Sequence, residues 1–434
     1  MKKRLVYALA VFFLVTALAC KKQFTPSLNT TFTNFLSVDG VILSGDSTMF
    51  TLSRTTSLND TTRFKAELKA TVVVEDDQKT LYPLVEKSKG QYVLGVTNFG
   101  AARKYRLNIK TNDGKIYQSD FVPLKITPQI DNVYQEYPND DRLEFYVDTH
   151  DPTNKTRYYR WDYKEVWQYY SVAHSSTFPN ATFPIFNYVN NSFFEILPQR
   201  DLTTCYATGH SNEILIGSSA KLIDDKIIKQ PIGAIMSNSQ KIEKTYSIQI
   251  RQYALTEEGF NYYQNIKKNT EQLGTIFDGQ PSLTIGNIHC LSNVNEQVLG
   301  FISASTVANR LLILDYNDLR LRINFPGDRT NLGDPMWANP TYIGPPSFEY
   351  CSAGSFNGTI LLEPASTFNS RLSQLLNGGT GFKVIIDGYV RNNINGVQTI
   401  VGYSWRRREC LDCRLINREG GSVTLTRPPF FPPL

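Results

Sequence analysis

Histidine is scarce in this chain. Its 434 residues include four, His150, His174, His210 and His289, and none stands in an HxxxH or HxH spacing. That removes the local zinc motifs of metalloproteases. A P-loop and a Rossmann glycine fingerprint are also missing. No serine occupies a G-x-S-x-G elbow, since Gly354-Ser355 lacks flanking glycines at the right offsets. Distant loops can still assemble a catalytic triad, but nothing local calls for one, and the expectation is a protein that is not an enzyme and uses no cofactor. Neither Asn139-Asp140-Asp141 nor the stretch with Asp315 and Asp318 follows EF-hand spacing. Both read as turn side chains, and no metal is expected. Beyond residue 20 no apolar run approaches the ~18 residues of a membrane-spanning helix. Excess charge is lacking too. Setting aside Lys2, Lys3 and Arg4 leaves 42 basic against 40 acidic residues, which gives no reason to expect nucleic acid as a partner.

What is present begins at the N-terminus. Lys2, Lys3 and Arg4 precede an apolar run over 5–18 that only Thr16 interrupts, followed by Ala17-Leu18-Ala19-Cys20. Charged start, short apolar run and small-residue cleavage site are the parts of a secretory signal, and about 14 apolar residues are too few to span a bilayer. The cysteine directly after Ala19 predicts a lipoprotein signal over 1–19, with Cys20 as the lipid attachment site. The alternative is a plain secretory signal with an incidental Cys20. Acyl chains on that thiol would hold the chain on a membrane, at about 0.8 kcal/mol per buried CH₂. Residues 20–33, polar and containing Pro26, read as the tether.

The rest is rich in Tyr and Phe (24 and 25) and in short β-branched runs. From 34 to 127 these runs come at regular spacing, with the hairpin signal Asn112-Asp113-Gly114 between two of them. Asp39-Gly40 separates two more. About seven strands without a long helix predict an immunoglobulin-like β-sandwich. Thr127-Pro128 marks a boundary, and 128–434 reads as a larger β-rich domain with one or two helices. Its clearest strand alternates through Tyr159, Trp161, Tyr163 and Glu165. Residues 172–191, rich in Asn, Pro, Phe and Thr, read as a loop or insertion. A helix is expected over 256–273: Thr256 caps it, Glu257 and Glu258 suit the positive end of its dipole, and Tyr262, Ile266, Asn269 and Leu273 recur on one face that would pack on a sheet. A weaker helical pattern covers 365–376.

Five cysteines remain besides Cys20. Cys205, Cys290, Cys351, Cys410 and Cys413 are candidate disulfide cysteines in an oxidising compartment, giving at most two bridges and one free thiol. Cys410-Leu411-Asp412-Cys413 has the spacing of half a zinc site or a redox pair, but β-like sequence surrounds it. Trp161, Trp167, Tyr169 and Tyr170 head an aromatic-rich segment over 158–194. It would serve as a glycan or peptide platform if exposed, or as core if buried. The tail Pro428-Pro429-Phe430-Phe431-Pro432-Pro433 is extended by composition, either packed on the last strand or free as a docking peptide.

Several segments together resemble one family: the lipoprotein start, Val38-Asp39-Gly40-Val41-Ile42, Gly114-Lys115-Ile116-Tyr117, Tyr159-Arg160-Trp161, Phe277-Asp278-Gly279-Gln280-Pro281, Gly286-Asn287-Ile288, the run from Val298 to Ser305, and the closing Cys410 and Cys413 with Gly420-Gly421. The order is similar to that of the Bacteroidota lipoproteins grouped as "domain of unknown function 4249", over nearly the whole chain. The resemblance implies an N-terminal sandwich of immunoglobulin-like or carboxypeptidase-regulatory-like type. It also implies an outer-membrane lipoprotein whose gene often neighbours a TonB-dependent receptor, making that receptor the expected partner and an accessory, ligand-capturing role the expected function. A free-standing glycan- or peptide-binding lipoprotein and a structural or adhesin module are the alternatives.

Overall fold

The computed structural model describes residues 34–56, 64–138, 142–169, 204–236, 239–242, 244–271, 284–315, 420–424, 427–429 and 431, together with the backbone course of five further strands. The strands are β1 (Leu36–Ser44), β2 (Thr48–Arg54), β3 (Lys65–Ala66), β4 (Thr71–Asp76), β5 (Leu81–Pro83), β6 (Val85–Ser88), β7 (Gln91–Leu94), β8 (Lys104–Lys110), β9 (Ile116–Ser119), β10 (Val122–Lys125), β11 (Ile130–Asn139), β12 (Arg142–His150), β13 (Tyr158–Tyr170), β14 (Phe183–Asn187), β15 (Ser192–Ile196), β16 (Thr204–His210), β17 (Leu215–Ser218), β18 (Lys226–Met236) and β19 (Tyr246–Ala254). After helix α1 (Glu257–Glu271) come β20 (Ile288–Cys290), β21 (Val298–Leu299), β22 (Ala304–Leu314), β23 (Gly358–Leu361), β24 (Val384–Ile394), β25 (Val397–Arg407) and β26 (Ser422–Thr424).

The chain is mainly β, as its composition implies. Burial alternates with period two along β2, β4, β8 and β12, the mark of strands with one face on a core. In the first sandwich β1, β2, β7 and β6 pair in order, with β3 beside β2. The facing sheet is built on β4 and β8, with β5, β9 and β10 added. Leu36, Val38, Phe50, Leu52 and Tyr92 from one sheet meet Val72, Val74, Tyr105, Leu107 and Ile109 from the other. The expected hairpin turn is present: Gly114 has φ +88° and its N–H bonds back to the Thr111 carbonyl. The Asp39-Gly40 pair does not interrupt the strand. Both residues lie within β1, where a Cβ on Gly40 would sit 2.4 Å from the Met49 carbonyl oxygen, so glycine lets β2 come close.

This first core is not contiguous in sequence. Residues 288–306, which the sequence reading places in the second domain, return to it. β20 pairs with β9, β21 runs parallel to β1, and the start of β22 lies parallel to both β1 and β10. Ile288, Cys290, Val298, Ile302 and Ala304 join the same core. From Val307 onward β22 pairs with β19. One continuous strand therefore belongs to both bodies. The connection near 127 is also fixed: the Thr127 hydroxyl donates to the Thr306 carbonyl (2.5 Å) and accepts from the Ala254 N–H (3.0 Å).

The second body is a sandwich as well. One sheet runs β26–β16–β13–β19–β22, with β17 also on β13. The other is β11–β12–β18. Between them lie Trp161, Trp167, Tyr159, Tyr169 and Tyr246 against Ile130, Leu143, Phe145, Val147, Ile232 and Ile235. The loop expected over 172–191 contributes β14, which forms a hairpin with β15.

Helix α1 forms where expected. The Thr256 hydroxyl accepts the Gly259 N–H at 3.1 Å, an N-cap. Only Gly259 and Tyr262 are buried, so the helix lies half-buried at the end of the sheet rather than inside a core. Phe260 packs on Tyr158 and Tyr262 on Phe301. The expected stop at Gly274 and the weaker helix over 365–376 lie outside the described residues, as do the signal, the tether and Cys20. In the tail Phe431 is buried against Tyr206 and Val166, so that side chain packs on the sheet.

Candidate functional site

Three of the four candidate platform residues belong to the core instead. Trp161 and Trp167 are each 1% exposed and Tyr169 is fully buried. On β13 all three share the core-facing set of alternate positions. Trp161 stacks on Tyr159 (centroids 5.8 Å) and its indole N–H donates to Gln252 Oε1 at 2.8 Å. The side chain of Tyr170 lies outside the described residues. The same inward row carries a carboxylate, Glu165, which accepts from Lys241 Nζ and the Tyr246 hydroxyl, both at 2.7 Å. Burial, with Glu165 beside it, pushes the Tyr246 hydroxyl well above the usual tyrosine range.

The cysteines divide. Cys205 is buried on β16 and disulfide-bonded. Cys290 is a free, buried thiol in the first core, which removes it from the candidate disulfide cysteines. Cys351, Cys410 and Cys413 lie outside the described residues. Among the described residues no group of three His, Cys, Asp or Glu side chains converges as a metal site. No helix among them is long and apolar enough to cross a membrane.

The other face of β13 builds a site. Its alternate residues Arg160, Asp162 and Lys164 point away from the core, and strand pairing extends each into a row. Arg160 stands beside Tyr253, Asp162 beside Arg251, and Lys164 beside Gln249. β22 adds Val307, Asn309 and Leu311 to the three rows. The β1–β2 hairpin of the first sandwich faces this surface and encloses a cleft of about 400 Å³. Asp39, Gly40, Met49, Thr51 and, from the turn, Asp46 and Ser47 form that wall. One end is closed by apolar contact between Val41, Leu43, Tyr253 and Val307.

Charge is divided across the cleft. The sheet side supplies Arg160, Lys164 and Arg251 with Asp162 among them, and the hairpin side Asp39 and Asp46. Arg160 donates to the Tyr263 hydroxyl of α1 at 2.8 Å, lies 4.7 Å from that ring's centroid, and approaches Asp162 only to 3.9 Å. Burial works against its charge, and Tyr263, Asp162, Tyr253 and Asp39 outweigh it, so its pKa is raised. Arg251 reaches Asp46 across the cleft at 3.4 Å. Asp162 accepts the Tyr253 hydroxyl at 2.8 Å. Burial, then Asp162, raises the Tyr253 pKa. The lining thus offers cationic and amide donors with one carboxylate, Asp162, on the sheet wall and two carboxylates on the hairpin wall, suited to holding a small polar molecule. None of these residues is among the candidates drawn from sequence. The alternation of charged with aromatic residues in Arg160-Trp161-Asp162-Tyr163-Lys164 marks a polar face, but nothing local reveals that β1 and β2 stand opposite it.

A family model described as "Domain of unknown function (DUF4249)" matches residues 21–310. No curated protein matches the chain. Among solved structures it is similar to a two-domain fibronectin type-III segment of chicken tenascin, at 7% identity over 51% of this chain and 90% of that one, with a TM-score of 0.14. That score is too low to align the two folds, and the sandwich description rests on the strand pairings themselves. The family match spans more than half of the sequence, and the chain belongs to the DUF4249 family.

Proposed function

We propose that this protein is a lipid-anchored outer-membrane protein that captures a small polar ligand in the cleft between its two sandwiches and serves a TonB-dependent transporter as an accessory subunit. The observation that carries the capture role is the cleft itself: about 400 Å³, polar, and lined by both bodies. Its volume falls in the lower part of the roughly 300–1,000 Å³ range of small-ligand sites. The anchor rests on the signal pattern ending at Cys20, and the transporter on what accompanies proteins of this kind. Neither role needs chemistry at the site, and binding without catalysis is part of the proposal. The glycan-platform alternative loses its motive, because Trp161, Trp167 and Tyr169 are core.

Affinity purification of the full chain from detergent-solubilised membranes tests the partnership. An outer-membrane barrel should co-purify, and repeated recovery of the protein alone would refute it. Cys20→Ser tests the anchor. The variant should leave the membrane fraction and lose acylation, and retention of both would overturn that part.

A further inference from the structure

Resting on the capture reading, the inference concerns what the cleft holds. We infer that its ligand is a zwitterion of short-peptide size, with its carboxylate on Arg160 and Arg251 and its ammonium toward Asp39 and Asp46. The two guanidinium groups lie over one ring, 5.6 and 5.4 Å from the Tyr253 centroid. Both side chains are about four-fifths buried, at 20% and 19% exposure. Each has five N–H donors, yet the described residues give them few acceptors. Arg160 has the Tyr263 hydroxyl and a distant Asp162, and Arg251 has Asp46 at 3.4 Å. Asp162 is already engaged by the Tyr253 hydroxyl. Largely buried guanidinium donors left this loosely paired favour a planar acceptor that can take two at once, and a carboxylate is that group.

The opposite wall decides the ligand's other end. Asp39 makes no ion pair among the described residues, and Asp46, whose Oδ1 accepts the Ser47 N–H at 2.7 Å, has only the long ion pair of its Oδ2 with Arg251. A ligand carboxylate that takes Arg251 in two-point geometry releases Asp46 to meet a cation. The cleft carries three cations and three carboxylates, so a ligand of net charge zero leaves that balance undisturbed. A phosphate or a dicarboxylate would add net negative charge to a cleft that already holds Asp39, Asp46 and Asp162 in balance with its cations.

Native mass spectrometry of the full chain can test this with a pool of tripeptides bearing free termini, the same pool amidated at the C-terminus, the pool acetylated at the N-terminus, and inorganic phosphate. The free pool should bind. Amidation should weaken binding about tenfold or more, and acetylation by a smaller factor. Arg160→Gln and Arg251→Gln should each reproduce the loss caused by amidation, with circular dichroism unchanged. Asp39→Asn should reproduce the loss caused by acetylation, and it keeps the test open if an arginine variant fails to fold. No binding of the free pool, equal binding of acid and amide, or phosphate binding as tightly through the same arginines would each overturn the inference. Any of these results with the barrel still co-purifying would remove the ligand assignment alone. Peptide binding without a barrel partner would remove the transporter reading and leave the cleft's ligand in place.

Discussion

The two faces of β13 are made by the same residues in alternation, yet they follow different rules. The inward row, Tyr159 to Tyr169, buries large rings, and its one charge, Glu165, has two close partners. The outward row, Arg160 to Lys164, stays polar and loosely paired although the first sandwich stands over it. An interior that served only stability would pair or remove such groups, because burying unmatched donors costs free energy. The packed core and the polar cleft thus lie on opposite sides of one strand.

That division can be broken most severely from the inside. Trp161→Ala should lower stability by about 3–5 kcal/mol through cavity formation and the orphaned Gln252 Oε1. Lys164→Ala, three positions along on the exposed side, should change it by under about 0.5 kcal/mol. Denaturant melts of the two variants make the contrast, and similar losses would erase it. Glu165→Ala should cost about 3 kcal/mol, since Lys241 and Tyr246 lose their shared acceptor. Combining Glu165→Gln with Lys241→Met should recover part of that loss.

A smaller effect comes with pH. Asp151, in the turn that leads from β12 toward β13, is buried, which alone would raise its pKa. Hydrogen bonds from Thr153 and Thr156 outweigh that and bring it down to about 2, from an ordinary 3.8. A folded-state pKa below the unfolded value contributes stability above pH ~4, and that contribution is lost as pH falls toward 2. Melting temperatures of the wild type should therefore drop across this window, and Asp151→Asn should flatten the drop. The smallest expected effect is on the cleft side. A double-mutant cycle on Arg251 and Asp46 should give a coupling below about 1 kcal/mol, as for other partly exposed pairs. A larger value would mean that this ion pair holds the two bodies together.

Much of the fold was legible where its cause is local. The cap at Thr256, the turn at Asn112-Asp113-Gly114 and the period-two alternation of β13 depend on neighbours in sequence, and each sits where the pattern puts it. β18 was not legible, because Pro231 and Gly233 break its pattern; among the described strands it is an edge paired with β12, where a proline is tolerated. Nor was the return of 288–306, since pairings such as Ile288 with Ser119 and Ala304 with Ile42 leave no nearby signal. The aromatic segment shows the limit most plainly. Alternation reveals that Trp161 and Arg160 face opposite ways, but not which side the second sheet covers. Three of the four aromatics of the candidate surface, Trp161, Trp167 and Tyr169, therefore lie on the core side of β13.

Because β22 runs unbroken from one sandwich into the other, with Thr127 bonded to it beside the junction, the two walls of the cleft share a strand. A substitution that displaces this junction should therefore be felt on both sides of the opening at once.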